Sequence, residues 1–222
     1  NPDDFIDLFS GAGAKDIVTG LTMYGGLLLA GFMVMRYFRT NGLAFWPSVD
    51  AAAPGVLLAY GIGRIGCQVS GDGDWGINNL NPKPNWLSWA PDWIWAYDYP
   101  HNVLTEGVPM ENCGQAKYCA HLVPPVFPTP FYEAVICIAL FFVLWKIRKR
   151  ITTPGVLFCV YLILNGFERF FIEKIRVNTL YHVNGFGFTQ AELISTILFS
   201  LGGIGLFYFK RLEKNQRIEK AV

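Results

Sequence analysis

The sequence predicts an all-α polytopic membrane protein with about five transmembrane helices and an external aromatic-rich cap between the second and third. Three observations carry this. Hydrophobic residues make up 52% of the chain against 16% charged, and mean hydropathy is +0.31. Apolar stretches fall at about 17–38, 51–67, 128–145, 155–172 and 191–209, each near the ~20 residues a helix needs to cross the hydrocarbon core. The basic residues are also unevenly placed. Arg36 and Arg39 follow the first stretch, Lys146, Arg148, Lys149 and Arg150 the third, and Lys210, Arg211, Lys214, Arg217 and Lys220 the fifth, eleven of the eighteen in all. That face is expected to be cytoplasmic, with the N-terminus and the segment from about 68 to 127 outside. The chain reads as one membrane domain, 1–222, with 68–127 inserted in it. The formal net charge of +1 names no partner by itself, and no nucleic-acid partner is expected.

The chain begins at Asn1, and residues 1–16 carry neither a charged n-region nor an apolar h-region, so no signal peptide is visible. Upstream sequence with one or two further helices is expected.

The second stretch contains Arg64, in Pro54-Gly-Val-Leu-Leu-Ala-Tyr-Gly-Ile-Gly-Arg-Ile-Gly-Cys67. A guanidinium at membrane depth costs roughly 2.5–3.5 kcal/mol on insertion scales unless it is paired or reaches a wet cavity. The fourth stretch carries Glu168, Arg169 and Glu173, with Arg176 just beyond. Two spans that both tolerate arginine predict a buried polar cavity, and planar, permanently charged groups there suit an anionic headgroup, most simply a phosphate.

Between them, the external segment is acidic and holds Trp75, Trp86, Trp89, Trp93 and Trp95, five of the seven tryptophans; Pro82, Pro84, Pro91 and Pro100 break any long helix. It reads either as an interfacial cap with indoles at headgroup depth or as a platform over a lateral lipid entrance. Cys113 and Cys119, with five residues between them, read as a disulfide in an oxidising compartment. Metal binding with His121 is the weaker alternative for want of a fourth ligand. Cys67, Cys137 and Cys159 fall in apolar spans as ordinary buried thiols, although Cys67 sits one turn from Arg64.

The third stretch opens near Glu133, a carboxylate that could face the cavity or lie in interfacial water. On the fourth, Asn165, Arg169, Glu173 and Arg176 share one helical face, and Arg169 and Glu173 at i and i+4 can pair within the helix.

These residues together resemble a family. The run Gly63-Arg-Ile-Gly-Cys-Gln-Val-Ser-Gly-Asp72 with Trp75-Gly76 is similar to the Gly-Arg-Ile-Gly-Asn-Phe-Ile-Asn-Gly-Glu motif of bacterial prolipoprotein diacylglyceryl transferases. Tyr24-Gly25-Gly26-Leu27 resembles that family's His-Gly-Gly-Leu, and Ser48-Val-Asp50 with Pro54 its Ser-Asp-x-x-x-Pro. Pro128-Thr-Pro-Phe-Tyr-Glu133 resembles its His-Pro-Ser-Gln-Leu-Tyr-Glu. Gly166-Phe-Glu-Arg-Phe-Phe-Ile-Glu173 with Arg176 is similar to its Gly-x-x-Arg-Phe-x-x-Glu-x-x-Arg, and 187–195 to the opening of its last helix. The matches run in order over 22–210. The family has seven helices, so the resemblance implies that two N-terminal ones lie outside this chain.

The resemblance implies transfer of a diacylglyceryl group from phosphatidylglycerol to a lipobox cysteine thiol of a prolipoprotein, on the outer side of the bacterial cytoplasmic membrane, with glycerol phosphate leaving. No cofactor or metal is called for. Arg64 and Arg169 are the expected clamp on the leaving phosphate. Glu173 and Asp72 would orient arginines or relay the thiol proton. Gly71 would let backbone approach the headgroup. Glu133, Tyr132, Cys67, Asn165 and Arg176 are expected around the substrate. Tyr24, Cys67 and Phe127 stand where the family has histidine, asparagine and histidine, and one residue is inserted between Asp72 and Trp75. Tyr24, with an unperturbed pKa near 10, then acts by positioning rather than as a base, and His121 is a candidate to replace the lost imidazole. Two function classes follow: the transferase, or a catalytically inactive relative that binds lipid as a subunit of a membrane complex.

Overall fold

The computed structural model describes residues 14–111, 113, 117–176, 181–183 and 186–219, with backbone alone at 14–24, 27, 28, 181–183, 186–188, 190 and 216–219. It divides into two compact units, Asn1–Ser48 and Val49–Val222. Five helices account for most of it: α1 (Ala14–Thr40), α2 (Phe45–Ser70), α3 (Thr129–Ile147), α4 (Val156–Glu173) and α5 (Gln190–Glu219). Each overlaps one predicted apolar stretch. By length and hydropathy, Thr129–Ile147 and Ala191–Asn215 are apolar enough to cross a membrane. In α2 and α4 the apolar runs are interrupted by Arg64 and by Glu168, Arg169 and Glu173.

The first unit contains α1 and a turn at 41–42, with Phe38 edge-on to Phe45.

In the second unit α4 packs along α5 and against α3. The α4–α5 contact is close because small residues line it. A Cβ on Gly166 would sit 2.8 Å from the Ser195 carbonyl oxygen, and one on Gly202 would sit 2.8 Å from that of Cys159. Close approach through small side chains is how helices associate where burial from water gives no driving force. Leu57, Cys137, Leu144 and Leu157 form the core between α2, α3 and α4. Outward faces carry exposed Val56, Ile62, Val69, Phe142 and Phe207, a surface suited to hydrocarbon. The start of α4 is capped from a distance: the Gly155 and Phe158 amides each donate to the Asp50 carboxylate at 2.7 Å, satisfying two orphan donors at a helix N-terminus.

The segment between α2 and α3 folds around its own core of Trp75, Tyr99, Leu122 and Val126. It contains two 3₁₀ turns, Asn85–Leu87 and Asp92–Ile94, and a short hairpin of β1 (Val108–Pro109) and β2 (Ala120–His121). Buried Asn102 ties it together, donating to the Tyr99, Glu106 and Ala120 carbonyls and accepting from the Glu106 amide. Burial pushes the Tyr99 phenol up from its ordinary pKa, so it remains a donor, here to Gln68 Oε1 at 2.7 Å. The tryptophans divide their roles. Trp75 is core, Trp95 donates to the Asn81 carbonyl, and Trp86 and Trp89 are 72% and 79% exposed. Cys113 and Cys119 form the expected disulfide, while Cys67, Cys137 and Cys159 are free thiols. A second hairpin, β3 (Tyr181–Val183) with β4 (Phe186–Phe188), precedes α5.

Candidate active site

Three arginines from two helix regions meet two carboxylates and one phenol. Glu133, in the first turns of α3, is the hub, with no exposed surface. Its Oε2 lies 2.6 Å from Arg64 Nε and 3.5 Å from Arg169 Nη1, and it accepts from the Tyr60 hydroxyl at 2.7 Å. Its Oε1 lies 3.6 Å from Arg176 Nη1. The Tyr60 hydroxyl in turn accepts from Arg64 Nη2 at 3.0 Å and Arg169 Nη1 at 2.9 Å. Arg64 and Arg169 therefore converge on one oxygen, although they lie 105 residues apart in the chain.

The second carboxylate is Asp74. Each of its oxygens pairs with one arginine, Oδ2 with Arg64 and Oδ1 with Arg176. The backbone explains why this loop arrives there. Gly76 N donates to the Phe127 carbonyl at 2.8 Å and Ile77 N to that of Ile175 at 2.9 Å, and the Thr129 hydroxyl donates to the Asp74 carbonyl. The loop is thus stitched to the start of α3 and the end of α4. A Cβ at residue 76 would lie 2.6 Å from the Ile175 carbonyl oxygen, so only glycine allows the approach.

Arg64, Arg169, Arg176 and Glu133 share this cluster, with Cys67 Sγ 3.8 Å from Arg64 Nη1. The other expected residues are placed differently. Asp72 is exposed; its carboxylate accepts a long bond from the Asp74 amide and hydrogen-bonds the Cys67 thiol, while Asp74, after the extra residue before Trp75, is the carboxylate that pairs with the arginines. Arg169 reaches across to α3 instead of pairing with Glu173. Glu173 is 5% exposed and Glu168 4%, and among the described residues none of their four carboxylate oxygens has a hydrogen-bond partner. Gly71 takes φ +61° after α2, and a Cβ there would lie 2.7 Å from Asn102 Cβ. Tyr132 donates to the Ile94 carbonyl at 2.6 Å, anchoring the external segment. Asn165 is half-buried one turn before Arg169 and makes no hydrogen bond to the cluster. His121 Nδ1 lies 3.2 Å from Asp98 Oδ2, within the external segment and apart from the arginines. Tyr24 lies on α1, and its side chain is outside the described residues. Cys67, Asp72 and Asp74 bring ligand-type atoms within 4.8 Å of one another, but Asp74 is already held by two guanidiniums, which leaves a poor set for a cation.

Tyr60 and Asp74 are the cluster members missed in the sequence. Tyr60 had one usable signal: it lies four residues before Arg64, on the same helical face.

The chain matches the family model described as prolipoprotein diacylglyceryl transferase over residues 3–208. It belongs to that family. A protein of Pediococcus pentosaceus named phosphatidylglycerol--prolipoprotein diacylglyceryl transferase is 29% identical over 201 residues, 90% of this chain and 63% of that protein. One of the same name from Leptospira interrogans is 27% identical over 235 residues, 94% of this chain and 63% of the relative. Another from Lactiplantibacillus plantarum is 28% identical over 213 residues, 95% and 64%. The chain thus spans about 63% of the length of the first of these relatives. As a member of this family it is a membrane protein, consistent with its exposed apolar helices.

Proposed function

We propose that this protein transfers the diacylglyceryl group of phosphatidylglycerol to the lipobox cysteine of prolipoproteins. The observation that carries the reading is the convergence of Arg64 and Arg169 on the single Tyr60 oxygen. In the reaction the cysteine sulfur forms a bond to the glycerol carbon, the carbon–oxygen bond to phosphate breaks, and glycerol phosphate departs with the bonding pair. Negative charge grows on the leaving phosphate, where preorganised guanidiniums lower the barrier most. The thiol, with an ordinary pKa of roughly 8.5, gives up its proton to react. Glu173 and Glu168, buried and with no hydrogen-bond partner among the described residues, are the carboxylates that would take it.

All five helices span the bacterial cytoplasmic membrane in this reading. The basic clusters and the C-terminus lie in the cytoplasm, and the segment between α2 and α3 lies outside. The exposed Trp86 and Trp89 then rest at headgroup depth. Tyr24 positions substrate by hydrogen bonding.

The test is release of glycerol phosphate when purified full-length protein in phosphatidylglycerol-containing nanodiscs receives a lipobox peptide. Release that disappears with Arg169→Gln supports the transferase. No release, with phosphatidylglycerol still bound, replaces it by the lipid-binding subunit.

A further inference from the structure

Tyr60 lies three residues before the Gly63–Asp72 run, outside every motif that carries the family resemblance, yet its hydroxyl is the most heavily shared atom of the cluster. It donates its one proton to Glu133 Oε2 at 2.7 Å. Its lone pairs receive Arg64 Nε at 3.1 Å, Arg64 Nη2 at 3.0 Å and Arg169 Nη1 at 2.9 Å. The hydroxyl is therefore fully used by the protein, and no proton is left over for a substrate.

The ring is held as firmly as the oxygen. It packs against the core of Leu57, Cys137, Leu144 and Leu157, and the Arg64 guanidinium carbon sits 5.0 Å from its centroid, in cation–π range. Two guanidiniums brought together repel each other. Glu133 offsets that charge, but its contacts are unequal, 2.6 Å to Arg64 and 3.5 Å to Arg169. For Arg169 the phenol is the shorter contact. A rigid neutral acceptor thus fixes where Arg169 points relative to Arg64, and keeps the two donors within the span of a pair of hydrogen bonds.

We propose that Tyr60 is a positioning residue, setting the spacing and aim of Arg64 and Arg169 so that both reach one phosphate group. This rests on the transferase reading for its kinetic consequence, and on phosphatidylglycerol binding for its structural one.

The test is a double-mutant cycle between Tyr60→Phe and Arg169→Lys in the full-length protein in nanodiscs. Tyr60→Phe keeps the ring packing and removes the oxygen. The expected result is a fall in kcat of roughly tenfold or more, smaller than the loss of a transition-state donor itself, with KM for phosphatidylglycerol changed less than about threefold. In the Arg169→Lys background the same substitution should cost less than about threefold, because residues acting as one unit do not add. A purely structural role for Tyr60 gives the full loss in both backgrounds and overturns the proposal, as does wild-type kcat in Tyr60→Phe. Tyr60→His is the second variant, expected to show the same kinetic split; if neither variant yields folded protein, the role is structural and the proposal is overturned. If the wild-type protein binds phosphatidylglycerol without turnover, the transferase reading fails alone, and the same cycle on dissociation constants decides Tyr60 by the same criterion. Absence of both turnover and binding overturns both.

Discussion

Replacing Glu133 by glutamine keeps the size of the side chain and removes one charge from the centre of three guanidiniums. The wild-type carboxylate is fully buried, with Arg64 at 2.6 Å, Arg169 at 3.5 Å and Arg176 at 3.6 Å. Removing one member of a buried ion pair typically costs about 3–5 kcal/mol, because the remaining charge stays buried without compensation. For a chain of 150–250 residues, 1 kcal/mol moves the thermal midpoint by roughly 2–4 °C. The Glu133→Gln midpoint is therefore expected about 6–20 °C below wild type in the same nanodiscs. Asp92→Asn is the control. Its ion pair is with Lys83 and its own side chain is 94% exposed, and exposed pairs contribute at most about 1 kcal/mol. Unfolding is followed by intrinsic fluorescence, for which the seven tryptophans suffice. A Glu133→Gln midpoint within about 2 °C of wild type would refute the assignment of Glu133 as the charge that permits three arginines in the bundle.

Asp74→Asn should lower glycerol phosphate release at least about tenfold, since it frees Arg64 and Arg176 together, whereas Asp72→Asn should leave it within about twofold; equal effects contradict the assignment of Asp74 over Asp72. Arg169→Lys should impair release despite keeping the charge, because an ammonium cannot serve Tyr60 and a phosphate with a planar fork; unchanged kcat/KM argues against a guanidinium clamp. Asp50→Ala should cost about 1–2 kcal/mol through the loss of two amide bonds at the α4 start, read as a midpoint drop of a few degrees without a change in KM. Tyr24→Phe should reduce release only modestly; complete loss overturns its positioning role.

The helices were legible because an apolar stretch near membrane length has few alternatives, and each of the five predicted stretches falls on a helix. The cluster was only half legible. An arginine inside an apolar run announces itself through its desolvation cost, so Arg64 and Arg169 stood out. Their partners did not. Helical spacing favours Arg169 with Glu173, but an arginine side chain is long enough to leave its own helix, and a fully buried carboxylate on α3 outcompetes a neighbour one turn away. Spacing rules rank partners only within one element. Asp74 was hidden for a related reason. Motif register pointed to Asp72, while the backbone bonds of Gly76 and Ile77 decide which carboxylate the loop delivers. Asp50 lies about a hundred residues from the amides it caps, a pairing that no local pattern encodes.

The unequal burial of the three arginines argues for which of them meets substrate first. The Arg64 and Arg176 side chains are 11% and 9% exposed, and Asp74 bridges them. Arg169 is 26% exposed, its nearest carboxylate oxygen is 3.5 Å away, and its short contact is to a neutral phenol. It is the least neutralised of the three. An anionic headgroup entering the cluster would gain most from Arg169 and would displace no resident counter-ion there. To engage Arg64 as well it must compete with Asp74, which sits on a loop with its side chain 29% exposed, rather than with Glu133, which is fully enclosed. The two resident carboxylates thus divide the work. Glu133 keeps the arginines in the bundle whether or not an anion is bound, while Asp74 is the exchangeable partner. On this argument Asp74→Asn should tighten phosphatidylglycerol binding even as it slows release. Weaker binding, measured in the same nanodiscs, would place Asp74 with Glu133 as a fixed member of the frame.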